Sequence, residues 1–139
     1  MTTDFSVTSF DPDNSDRFVR LAKDLGVSSF GLNLMVLQPG QRGRIHLHHR
    51  QEEVYLVTSG ELSLLIEGEV SILRPGDAAR VGPAVRRQLA NAGAEPCVLF
   101  ALGGDGTHEG RDAEAFIDWD DVEGGTPQEI PLPGDIPHS

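Results

Sequence analysis

The stretch "RIHLHHRQEEVYLVTSGELSLLIEGEVSIL", Arg44 to Leu73, decides the fold. Its apolar residues fall in short runs rich in Val, Leu and Ile that are broken by polar residues and glycine, and no helix of ordinary length fits between the breaks. The same texture continues outward from Phe30 to Leu102 through "FGLNLMVL", "DAARVG", "RRQLAN" and "PCVLFAL", with Pro-Gly turns at Pro39-Gly40 and Pro75-Gly76. Such spacing predicts several short antiparallel strands in a sandwich or barrel, an all-β fold.

Two flanking pieces lack that texture. In residues 1–29, "DNSDRFVRLAKDLG" places Phe18, Val19, Leu21, Ala22 and Leu25 at helical spacing. Asn14 or Ser15 is a candidate N-cap and Gly26 a stop, so one short helix is expected. In residues 104–139 one helical turn is expected around Ala113 to Phe116, and Phe116, Ile117 and Trp119 should dock on the body. The Pro- and Gly-rich remainder reads as an irregular arm. The strands of residues 30–103 are left as the body of a single domain, which suits a chain of 139 residues.

Composition narrows the function. The net charge is −11, and residues 104–139 hold ten acidic side chains against one basic, so the acidity belongs mainly to the arm. A nucleic-acid partner, which would need clustered Lys and Arg, is not expected. Cys97 is the single cysteine, which excludes an internal disulfide and reads as a buried apolar residue in a cytoplasmic protein. No apolar run has membrane-spanning length.

The histidines carry the chemistry. On a strand, His46 and His48 share one face while Ile45, Leu47 and His49 take the other. On the next run Glu53, Tyr55 and Val57 share a face, and an antiparallel neighbour brings Glu53 within reach of both imidazoles. Two neutral imidazoles and a carboxylate can hold a cation facially with positions left open. Alternation alone does not separate this arrangement from a polar solvent face.

The longer spacing adds to it. Gly40-x5-His46-x-His48-x4-Glu53-x6-Gly60 resembles the first motif of the cupin family, small barrels of double-stranded jelly-roll form. The family's second motif is matched in length by Gly76-x5-Gly82-x-Ala84-x2-Arg87-x3-Asn91, with Gly82 for proline, Ala84 for glycine and Arg87 for histidine. A shifted alignment on Pro83 would put Gln88 at the histidine position. The resemblance covers about Gly31 to Gly103 and implies a divalent metal on His46, His48 and Glu53 without the family's fourth ligand.

Arg87 then points toward the same spot and cannot ligate, because a guanidinium stays protonated. At about 5 Å and an effective dielectric of about 20 it would repel a divalent ion by roughly 7 kcal/mol. Two outcomes stay open: a three-ligand metal site serving an oxygenase or isomerase, or a metal-free barrel in which Arg87, neutralised by Glu53, binds a small anionic ligand. Tyr55 is a candidate ligand-binding donor beside Glu53, and His108 a candidate substitute ligand above the barrel mouth, which the segment from Thr107 to Trp119 could close. Arg42, Arg44 and Arg50 are expected on the surface with acidic partners. The resemblance also implies a homodimer, for which Ile45, Leu47, Val54 and Leu56 would supply a covered outer face.

Overall fold

In a computed structural model, which describes residues 4–11, 13, 16–104 and 112–137, the chain forms two facing sheets of short strands. The elements are β1 (Phe18–Val19), α1 (Leu21–Leu25), β2 (Gly31–Leu37), β3 (Ile45–His48), β4 (Glu52–Ser59), β5 (Leu62–Ile66), β6 (Glu69–Leu73), β7 (Ala78–Val81), β8 (Gln88–Ala90), β9 (Cys97–Gly104) and β10 (Ala113–Phe116). One sheet runs β1-β2-β9-β4-β7. The other is made of β6-β5-β8 and β10-β3, joined where His46 and Arg87 exchange both backbone hydrogen bonds at 3.0 and 2.9 Å. The architecture is the all-β barrel that the runs predict, in the jelly-roll form that the cupin resemblance implies.

β2 shows why its sequence is apolar on nearly every residue. Leu37 belongs to the inner core with Tyr55, Val57, Leu62, Leu64, Leu89 and Leu99. Leu34 and Val36 face outward, where Leu21 of α1 and Val98 of β9 cover them. A strand buried on both faces loses the polar half of its alternation. Each fully buried Leu or Val contributes roughly 1.5–3 kcal/mol, so this small outer cluster anchors the N-terminal segment firmly.

Both Pro-Gly pairs make the same turn. The Gln41 N–H donates to the Gln38 carbonyl at 3.0 Å and the Asp77 N–H to the Arg74 carbonyl at 2.8 Å, with Gly40 at φ 87° and Gly76 at φ 90°. Proline followed by a left-handed glycine is the type II pattern.

Two sequence expectations are corrected. Phe18 and Val19 are not helical: they pair with Met35 and Leu34 as an edge strand, and the helix is only Leu21–Leu25, ended by Gly26. Five residues cannot satisfy their own backbone well enough to extend a helix against that pairing. Residues 113–116 are likewise not a helical turn but β10, paired with β3 through Ala113 opposite His48 and Ala115 opposite His46. The unpaired edge of β3 supplied the partner that a local reading does not see. The candidate cap residues Asn14 and Ser15 lie outside the described residues.

After β10 the arm is irregular and lies along the segment before β3. The Ile136 N–H donates to the Gly40 carbonyl at 2.7 Å, Arg42 Nε to the Gly134 carbonyl at 2.8 Å and Arg44 Nε to the Ile130 carbonyl at 2.7 Å. Phe116 is buried with the Arg86 guanidinium 3.6 Å above its ring, while Ile117 stays exposed. Among the described residues no helix is long and apolar enough to cross a membrane.

Candidate functional site

β3 and β4 converge on one point inside the barrel. His46 and His48 project inward from β3, and the Glu53 carboxylate meets them from β4, with His46 Nε2 3.8 Å from Oε1 and His48 Nε2 3.7 Å from Oε2. The two imidazoles stand edge to face with centroids 5.3 Å apart. All three ligand atoms lie within 4.8 Å of one another, a spacing that one cation with bonds of about 2.0–2.2 Å can bridge. His48 and Glu53 are buried and His46 opens to the cavity. On the reverse face Glu52 pairs with Arg80 and His49 with Glu114.

The far side of His46 is braced by a carbonyl, and that of His48 faces a carboxylate. His46 Nδ1 lies 3.2 Å from the Arg44 carbonyl, which suits an N–H there and turns Nε2 toward Glu53. His48 Nδ1 lies 3.7 Å from Asp112 Oδ2. The Asp112 carboxylate is itself fixed by the N–H groups of Arg50 and Gln51, each at 3.0 Å. A carbonyl or carboxylate behind a histidine fixes its tautomer and raises its basicity as a ligand.

Tyr55 donates its hydroxyl to Glu53 Oε1. Burial pushes the Glu53 carboxyl up, but the hydrogen bond and charge of His46, the charge of His48 and the Tyr55 hydroxyl outweigh it and hold the group at about 2 instead of 4.5. Burial and the Glu53 charge push the Tyr55 hydroxyl well above its usual range, so it stays a neutral donor. Burial also raises Cys97 to about 11, in keeping with an inert core thiol.

The cluster opens into a cavity of about 1020 Å³ whose walls include Asn33, Met35, Leu37, Leu89 and Ala101, with Pro127, Gln128 and Leu132 from the arm. A family model described as a cupin domain matches residues 33–103. The chain belongs to the cupin family. No curated protein matches it. Among solved structures it is similar to a sugar phosphate isomerase of the cupin superfamily from Silicibacter pomeroyi, at 26% identity over 84% of this chain and 79% of that one, with a TM-score of 0.61. It is also similar to a supposed sugar phosphate isomerase from Acidithiobacillus ferrooxidans, at 30% identity over 62% of this chain with a TM-score of 0.58, and spans only 56% of that protein's length. A cupin protein from Bacteroides fragilis shares the fold at 24% identity and a TM-score of 0.65, over 75% of this chain and 86% of that one.

The second cupin motif keeps its backbone where its residues differ. Ala84, at the family's glycine position, retains the left-handed φ of 64°. Asn91 still ties the strand end, its Nδ2 donating to the Leu37 and Glu95 carbonyls at 2.8 Å each. Arg87 stands opposite His46, as the ungapped alignment puts it, and is fully buried. Gln88 instead donates to the Gly43 carbonyl.

The Arg87 guanidinium does not reach the carboxylate of Glu53. Its Nη1 donates to the Val85 carbonyl at 3.0 Å and its charge acts on Tyr55, while the Glu53 carboxyl answers to His46, His48 and Tyr55. The expected Arg87–Glu53 ion pair is therefore absent among the described residues, and the Arg87 charge stands behind Tyr55, which itself bonds Glu53.

The surface arginines also need correction. Arg42 and Arg44 are half-buried and spend their Nε groups on backbone carbonyls of the arm instead of on acids. Ile45 is already buried within the chain, so it offers nothing to a partner. His108 lies outside the described residues, and the part of the chain over the cavity includes 127–132 in addition to any part of the Thr107 to Trp119 segment. Asn33 and Asp112 were not singled out by their pattern. Asn33 is the lone polar residue in an apolar run and was legible on that ground; Asp112, one acid among ten in its segment, was not.

Proposed function

We propose that this cupin holds a divalent cation on His46, His48 and Glu53 and acts on a small polar molecule in the cavity, with isomerisation favoured over oxygenation. The observation that carries this reading is the convergence of three donor atoms within 4.8 Å, both imidazoles turning Nε2 to Glu53, with His46 braced through Nδ1 by the Arg44 carbonyl and His48 Nδ1 facing the Asp112 carboxylate at 3.7 Å. Polar surface histidines have no need of such bracing. The donor set, two imidazoles and a carboxylate, fits a borderline divalent ion with open positions. Bound there, such an ion would supply Lewis-acid polarisation of a carbonyl or hydroxyl.

The chain's own residues supply the rest. Tyr55 orients Glu53 and keeps one of its oxygens occupied. The apolar walls at Met35, Leu37 and Leu89 exclude water from the inner end. The name carried by the Silicibacter pomeroyi structure supports the choice of an isomerase.

Metal content of protein purified without chelator or affinity tag tests the proposal. Stoichiometric metal in the wild type, lost in His46→Ala, is expected; metal-free wild-type protein that also fails to take up added Zn²⁺, Mn²⁺ or Fe²⁺ would overturn it. A second reading, a metal-free barrel that receives an anion on Arg87, draws on one observation. Arg87 Nε and Nη2 are buried with no hydrogen-bond acceptor among the described residues. Against it, Arg87 is not part of the cavity wall. Stoichiometric metal gained only in Arg87→His would favour this second reading.

A further inference from the structure

The cavity bears a charge opposite to that of the molecule. The chain carries −11, yet the cavity wall contains Arg17, Arg20 and Arg44 against one carboxylate, Glu53. The acidic arm contributes only neutral residues there, Pro127, Gln128 and Leu132. None of the three guanidiniums has an acidic partner among the described residues, where the arginine ion pairs are Arg74 with Glu61 and Arg80 with Glu52.

Two of the three are braced without being neutralised. Arg17 Nη1 donates to the Arg42 carbonyl at 3.1 Å, and Arg44 Nε donates to the Ile130 carbonyl at 2.7 Å. A backbone carbonyl fixes the fork and leaves the full positive charge for a ligand. Arg17 and Arg44 are partly buried and Arg20 is exposed, so all three forks are open to a charge-assisted bond with an incoming anion.

The three reach one cavity from both sheets. Arg44 precedes His46 by two residues on the same face of the chain, about 7 Å along it. Arg17 and Arg20 flank β1, on the opposite sheet. A carboxylate is filled by a single arginine fork, whereas a phosphate monoester has three terminal oxygens and close to two charges at neutral pH.

We propose that Arg17, Arg20 and Arg44 receive the phosphate group of a phosphorylated small molecule whose uncharged end lies at His46, His48 and Glu53. The assignment rests on the reading of the cavity as a small-molecule site, and it does not require a metal to be bound. Calorimetric titration of inorganic phosphate into the chelator-treated full chain tests it. Saturable binding is expected, with affinity falling by about tenfold or more in Arg20→Ala and in Arg44→Ala. The Arg20 side chain is exposed and makes no hydrogen bond among the described residues, so its variant keeps the fold even if loss of the Arg44 brace does not.

No phosphate binding by the wild type, or equal binding by Arg20→Ala and Arg44→Ala, would overturn the proposal. So would acetate binding as tightly as phosphate, which would mark a carboxylate site. Phosphate binding that survives the arginine substitutions and vanishes in His46→Ala would place the anion at the metal cluster instead. Failure of the chain to take up metal in a separate titration would remove the isomerase reading and leave the phosphate result standing.

Discussion

Gly60 closes the first motif at a point where no side chain fits. It has φ 73°, and a Cβ there would meet the Pro96 carbonyl oxygen and lie 2.9 Å from Cys97 Cα, all backbone that cannot swing aside. Left-handed strain of about 1–2 kcal/mol adds to that overlap, so Gly60→Ala should lose 3 kcal/mol or more (about the size of a severe core mutation) in chemical denaturation. Ala84 is the converse case. Its left-handed backbone is retained without glycine, and Ala84→Gly should raise stability by up to about 1 kcal/mol, the relief of strain less the chain entropy that glycine adds. Glu53 predicts an acid limb in metal-free protein. Its carboxyl is held at about 2 in the fold against 4.5 free, so its contribution is complete above pH 4.5 and is lost as pH falls toward 2. Denaturation at pH 5 and 2.5 should show a decline on the order of 2 kcal/mol that Glu53→Gln lacks.

At the scale of elements, the site depends on a pairing that sequence does not advertise. "AEAF" has neither the β-branched residues nor the alternation of a strand, and its alanines suit a helix better; only the open edge of β3 makes it β10. The pairing brings Asp112 behind His48 and its carboxylate under the Arg50 and Gln51 N–H groups. Asp112→Ala should therefore weaken metal affinity by about 10–100-fold with the three ligands intact, measured by competition with a chelating dye. By contrast β2 to β9 were legible as eight apolar runs with punctuation, and period-two alternation on β3 and β4 grouped His46 with His48 and Glu53 with Tyr55, while their inward direction came from the resemblance to the first cupin motif. Arg17, Arg20 and Arg44 were not legible as one group. Arg44 directly precedes β3 and lines the same cavity as His46, but β1 reaches that cavity only through its pairing with β2.

At the scale of the whole molecule, two apolar clusters hold the barrel without the arm: one between the sheets and one outside β2 under α1. The arm contributes chiefly backbone bonds around residues 40–44 and a wall of the cavity. A chain ending at residue 123 should keep a cooperative unfolding transition, while trypsin should cut after Arg42 and Arg44 faster than in the full chain.

The order in which the chain is made gives the pairing of its ends a further meaning. β2 completes itself on β9 and β3 on β10, partners some sixty-odd positions downstream. A nascent chain therefore carries His46, His48 and Glu53 without these partner strands until β9 and β10 are made, and long-range sheet closure comes late. On the proposed metal reading, selection among the cell's metals would then fall to the finished barrel, in competition with every other folded protein, and not to the chain as it emerges.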